Sequence, residues 1–187
     1  MSAQRRQAEG EGPVQVARLD IEQTEGRARE LLEGVRRKRG SVSPLFQAMA
    51  HSPTVMSTYL SWHSAAAGLS LPVALREQIS IAVSAGSGCG QCVSAHTRFG
   101  REAGLSDAEL AAAQDARSED PLAQAALDFA RRVRETDGHL TADDFAALRA
   151  AGLGDAAMVD IAALVAMNLL TNFVNNLAKE PAEAERG

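Results

Sequence analysis

Helix start and stop signals recur along nearly all of this chain, and no stretch alternates apolar and polar residues with a period of two. Between Thr24 and Arg39 the apolar residues Ala28, Leu31, Leu32 and Val35 share a helical face, and Gly40 follows as a stop. Ser43-Pro44 and Ser52-Pro53 each set a capping residue before a proline, whose missing N–H costs nothing at the first helical position. The second of these helices carries Met56, Tyr59, Trp62 and His63 and is expected to end near Gly68. Ser70-Leu71-Pro72 opens a helix to about Ala85, and another runs from about Cys89 to Ala103, with Gly104 as its stop. Ser106 and Glu109 have capping-box spacing, and Thr141 with Asp144 gives a looser acidic version. Asp120-Pro121 opens a further helix, and a last one is expected from near Asp155 to as far as Lys179. The predicted fold class is all-α.

Composition narrows the function classes. Aromatic residues are only 4% of the chain and alanine is abundant, which suits close helix packing better than a sheet core. A formal net charge of −5 argues against a nucleic-acid partner, which needs clustered cations. The one basic run, Arg36-Arg37-Lys38-Arg39, falls at a predicted helix end, where cations meet the negative end of the dipole. Residues 1–16 are polar and glycine-rich and are expected to form a disordered or extended arm, leaving 17–187 as a single helical domain. The arm has no apolar leader core, and the apolar stretch from Met158 to Leu170 is interrupted by Asp160 and Asn168. No membrane is therefore expected as a partner, and the expected location is cytoplasmic. The last helix is apolar on nearly every side and must be buried within the subunit or between subunits, so a homo-oligomer is expected.

The chemistry sits in the segment GSGCGQCVSAH. At about 100° per residue, Cys92 and His96 lie about 40° apart on one helix face, and Cys89 is offset by about 20° from His96 on the other side. The glycines at 86, 88 and 90 let the chain bend sharply into this helix and leave N–H groups open at its start. A free thiol, with a pKa of about 8.5, is mostly protonated at neutral pH, and only the thiolate attacks a peroxide or a disulfide. A helix N-terminus lowers that pKa, and a neighbouring imidazole accepts the proton. A second cysteine in reach then condenses with the sulfenic acid to a disulfide. Helix-start position favours Cys89 as the attacking thiol, and the i, i+4 histidine favours Cys92. Glu77 lies among apolar helix positions, where burial would tune it for proton transfer, but a solvated first-turn glutamate is the plainer reading.

Other readings of the same residues are weaker. Cys89, Cys92 and His96, with Glu77 or His63, make a zinc-competent set, but no distant second ligand pair accompanies them, so no metal is expected. Haem attachment needs a histidine directly after the second cysteine, where Val93 stands. Two inert buried thiols would sit poorly among glycines at a helix start. His63, beside Tyr59 and Trp62, reads first as a packing residue and second as a wall of the substrate pocket. His51 and His139 read as loop residues.

Glu77, the Cys89-Gly90-Gln91-Cys92 run and His96 together resemble the AhpD-like alkylhydroperoxidases of the carboxymuconolactone decarboxylase superfamily. The resemblance is strongest over roughly residues 45–105, and NLLTNFVNNLAKE from Asn168 extends it toward the peroxidase-related branch. It implies an AhpD-like helical bundle with the cysteine pair at the N-terminal end of a central helix. It further implies that Glu77 works through water on His96, that His96 deprotonates Cys92, and that Cys89 resolves the sulfenic acid. Gln91 stands where better-known members carry a second histidine; glutamine orients a water or a peroxide but shuttles no proton. The implied activity is thiol-dependent reduction of a small peroxide, without a cofactor. The reductant would be a lipoamide- or thioredoxin-like dithiol and the assembly a dimer, trimer or hexamer. The alternatives are an electron carrier for another peroxidase, a lactone decarboxylase, which needs no dithiol, and a zinc-stabilised scaffold. Enclosure of Cys92 discriminates the first pair: a pocket favours peroxide, a flat surface a protein disulfide.

Overall fold

The computed structural model describes residues 15–178, which form helices without a strand. Nine α-helices follow in chain order: α1 (Gly26–Arg39), α2 (Pro44–Met49), α3 (Pro53–Ala65), α4 (Val73–Gly86), α5 (Gly90–Glu102), α6 (Asp107–Gln114), α7 (Pro121–Glu135), α8 (Ala142–Ala150) and α9 (Asp155–Leu177). A short 3₁₀ turn, Ala66–Gly68, follows α3, so the helix expected to reach Gly68 tightens over its last residues. The expected arm falls mostly outside the described residues; within them, the Val16 N–H donates to the Leu177 carbonyl at 2.9 Å, tying the segment before α1 to the end of α9. Lys179, the expected limit of the last helix, also lies outside them.

Most of the start signals act as their chemistry requires. The hydroxyls of Ser106 and Thr141 accept from the N–H groups of Glu109 and Asp144, whose carboxylates accept in return, so both capping boxes are complete. Asp120 accepts from Leu122 N–H and Ser52 from Val55 N–H. Ser43 makes no such bond, and Pro44 alone marks that helix start. The four basic residues at 36–39 fill the last turn of α1, as expected of cations at a helix end.

The helix α4 lies at the centre, packed against α5, α6, α7 and α9. Its apolar face, including Leu75, Ile79 and Val83, meets Ala126, Leu127 and Ala130 of α7 and Ile161, Leu164 and Val165 of α9 in the largest core cluster. A second cluster joins α1, α2 and α3 through Leu32, Phe46, Met49 and Met56, with Leu170 and Val174 of α9 against it. The polar residues that interrupt the α9 run are the ones that dock it. Asp160 accepts from the N–H and hydroxyl of Ser70 at 2.7 and 2.6 Å, and Asn168 donates to Ser80 Oγ at 3.0 Å. By length and by a mean hydropathy of 1.7, α9 is apolar enough to cross a membrane, but half of that stretch is buried in this bundle. It is not buried all round: Val159, Phe173 and Leu177 are 57–68% exposed in the single chain.

Candidate active site

The approach from α4 into α5 sets the cysteines. Gly88 has φ +64°, a conformation L side chains adopt only with strain, and it turns the chain so that Cys89 N–H reaches the Ser84 carbonyl at 3.0 Å. Of the three glycines expected to make this bend, Gly88 alone needs the left-handed region. At Gly86 an added Cβ would come within 2.8 Å of the Arg134 guanidinium, the end of a flexible side chain that donates to the Gly86 carbonyl at 2.9 Å. Cys89 is itself the N-cap of α5, its sulfur accepting from Cys92 N–H at 3.3 Å. The two sulfurs are bonded to each other, so the pair is in its oxidised form. Cys89 and Cys92 are almost fully buried, at 2% and 4% exposure. Their surroundings differ in one respect: Cys92 lines a cavity of about 420 Å³, together with Gln91, His63 and His96, and Cys89 does not.

One turn beyond Cys92, the His96 Nδ1–H donates to Glu77 Oε2 at 2.8 Å. Expected to act through a water, Glu77 meets His96 directly, because α4 and α5 pack closely enough to bring the two side chains into contact. Gly100 on α5 serves the neighbouring contact with α6, where a Cβ would come within 2.6 Å of Leu110. The first-turn reading of Glu77 fails for the same reason: it sits a turn into α4 and is sheltered, with 18% of its side chain exposed. Glu77 and His96 line a second cavity of about 240 Å³ with Arg76, Ser80 and Asn168, and of the pair His96 alone also lines the Cys92 cavity. No hydrogen bond joins His96 to Cys92 here; a disulfide sulfur has no proton to give. Among the described residues, no group of three His, Cys, Asp or Glu side chains is arranged to hold a metal.

The same arrangement of helices recurs in known proteins. The chain superposes on a peroxidase-related protein from Ralstonia eutropha JMP134, an alkylhydroperoxidase AhpD core, with a TM-score of 0.75 and 26% identity, covering 92% of this chain and 95% of that one. Residues 53–135, which carry all four relay candidates, match the carboxymuconolactone decarboxylase family. As a whole the chain has the fold of an AhpD core, and the family match spans 83 of its 187 residues. A peroxidase-related protein from Silicibacter sp. TM1040 shares the fold at a TM-score of 0.72 and 19% identity, over 95% of this chain and 93% of that one. The debrominase Bmp8 does so at 0.69 and 19%, over 91% and 94%. At that identity the likeness speaks to fold alone. No curated protein matches the chain.

Within this AhpD-like bundle the cavity wall holds further polar groups. His63 packs its ring against Tyr59 at 5.8 Å and lines both chambers, so it is wall as well as packing. Burial first, and the nearby Arg39 charge second, hold its pKa below the usual histidine value, keeping it neutral at pH 7. Burial pushes the Tyr59 phenol up, so it stays protonated, and its hydroxyl has no hydrogen-bond partner among the described residues. Asn175, on α9, donates from Nδ2 to Cys92 Sγ at 3.2 Å. Sequence reasoning missed this contact: 83 residues separate the partners. The signal available was its place in the NLLTNFVNNLAKE stretch, which extended the resemblance without giving this asparagine a role.

Proposed function

We propose that this protein reduces hydroperoxides through Cys92 and Cys89 and is returned to its dithiol form by an external dithiol. The observation that carries this reading is the enclosure of Cys92: it is the cysteine exposed to a cavity, and His96, held by Glu77, lines the same cavity. In the reduced protein His96 takes the Cys92 proton, and its contact with Glu77 stabilises the imidazolium that forms. The thiolate attacks the distal peroxide oxygen, the O–O bond breaks, and the alkoxide leaves as an alcohol with the proton from His96. Asn175, donating to the Cys92 sulfur, acts as a positioning residue that favours the thiolate. Cys89, three residues away with its Cα at 5.3 Å, attacks the sulfenic acid, expelling water and forming the disulfide. Gln91 and the free Tyr59 hydroxyl can hold the peroxide oxygens.

The recessed disulfide suits a slim dithiol arm, such as a lipoamide, better than a broad thioredoxin-like surface. Such a cycle fits the cytoplasm, where dithiols are kept reduced. The exposed apolar stripe of α9 fits burial against a second copy, and light scattering should then give a mass above 19.7 kDa. To test the activity, cumene hydroperoxide loss is followed with dihydrolipoamide as reductant. Turnover that needs both cysteines is expected; turnover that survives Cys89→Ser/Cys92→Ser, or none with wild type, contradicts the reading.

A further inference from the structure

The basic run at the end of α1 is not exhausted by a helix-end role. Arg39, its last residue, reaches the Cys92 cavity, and Arg98 lines it from α5. Each guanidinium lies over an aromatic ring of the same wall: Arg39 is 5.2 Å from the centre of Phe46, and Arg98 is 4.8 Å from the centre of Phe99. The chain has 24 acidic residues against 19 basic ones, yet no aspartate or glutamate lines this cavity. Seven arginines elsewhere, Arg27, Arg29, Arg36, Arg101, Arg131, Arg132 and Arg149, pair with a carboxylate within 3.2 Å, whereas among the described residues Arg76 and Arg117 do not. No ion pair within 4.0 Å holds Arg39 or Arg98 among the described residues. The two also line an adjoining cleft of about 600 Å³, and the carboxylates Glu77 and Glu102 line that cleft rather than the Cys92 cavity.

A reactive sulfur, aromatic and aliphatic walls that include Phe46, Phe99 and Leu45, and two uncommitted guanidiniums describe a ligand with three matching parts. From this we infer that the natural substrate is an organic hydroperoxide with an apolar body and a carboxylate, of the fatty-acid hydroperoxide class. The carboxylate is bound between Arg39 and Arg98, and the peroxide group is presented to Cys92. Guanidinium forks pair with carboxylates, and an aromatic backing holds the forks in place. The inference rests on the peroxidase reading and adds the substrate class to it. Chemistry at the sulfur is unchanged: the two thiols supply two electrons, the hydroperoxide becomes the hydroxy acid and water, and a disulfide forms.

The test compares three probes on reduced protein: 13-hydroperoxyoctadecadienoic acid below its micellar range, its methyl ester, and cumene hydroperoxide. The rate of disulfide formation is read by quenched-flow alkylation. Wild type is expected to use the acid at least about tenfold faster than the ester at low substrate. Arg39→Gln/Arg98→Gln should bring that ratio close to one. Arg117→Gln, an exposed arginine that lines neither chamber, should leave it as in wild type. A ratio tests charge recognition apart from any effect of the arginines on thiol reactivity, which acts on both probes alike. Equal use of acid and ester by wild type, or a preference that survives in the double variant, overturns the inference while leaving the peroxidase reading in place. Failure of all three probes, the uncharged cumene hydroperoxide included, removes the peroxidase reading and the inference with it.

Discussion

The two flanks of α4 solve different problems. Toward α7 the contact is apolar: Ala123, Ala126, Leu127, Phe129 and Ala130 are buried with no polar side chain among them. Toward α9 it is studded with buried polar groups, Ser80 and Ser84 on one helix and Asn168, Thr171 and Asn172 on the other. Thr24 and Gln78 are the other buried polar side chains among the described residues. Asn168 is bonded to Ser80, and Ser84 donates to Asn172 at 3.3 Å, whereas Asn172 Nδ2 is buried without a partner. Apolar packing stabilises in proportion to the area buried; a buried amide costs free energy unless its bonds are made. Placing such groups beside the disulfide, with Asn175 on its sulfur, costs stability and gains directional control where chemistry occurs.

That contrast can be broken at either flank. The largest effect belongs to Cys92→Ser, which should abolish peroxide-dependent oxidation and leave the melting temperature of the reduced protein almost unchanged. His96→Ala should slow Cys92 oxidation by about 10²–10⁴-fold, the usual range for a lost general base, and flatten its pH dependence. On the other flank, Leu127→Ala should lower unfolding free energy by about 2–5 kcal/mol in urea titrations, with thiol reactivity of the folded fraction unchanged. Asn175→Ala should slow alkylation of the reduced protein at pH 7 by roughly ten- to a hundredfold, since a hydrogen bond to a charged group is worth about 1.5–3 kcal/mol. If Leu127→Ala alters thiol reactivity as much as Asn175→Ala does, the division of labour between the flanks is wrong.

The smallest effect lies in the capping boxes. Hydrogen bonds from Thr141, with help from Arg132, hold the Asp144 carboxyl below its usual range. A depressed carboxyl contributes stability that is present above its unfolded pKa of about 4 and is lost as pH falls through the lower folded value. Asp144→Asn should therefore lower stability slightly at pH 7, and the difference from wild type should vanish in strong acid, as read by thermal melts across that range.

Legibility in the sequence follows the same division. Caps, prolines and terminating glycines act locally, so α6, α7 and α8 could be placed within a residue or two from Ser106, Asp120 and Thr141. The cysteines and His96 were legible because one helix carries all three. Glu77 was ambiguous because its burial depends on how α4 packs on α5, and the tertiary fold decided it. Asn175 and Arg39 were harder still: one is supplied by the last helix and the other by the first, and no local pattern points either of them at Cys92. The apolar face of α9 remained only partly explained by one chain, since composition tells how much surface must be covered and not what covers it.

The most direct test of the central claim is to treat reduced protein with one equivalent of cumene hydroperoxide and map the cysteine products by peptide mass spectrometry, in wild type and in Cys89→Ser. The account predicts a Cys89–Cys92 disulfide in wild type and a sulfenic acid trapped on Cys92 in the variant. Two cysteines left as thiols in wild type, or an unoxidised Cys92 in Cys89→Ser, would contradict it.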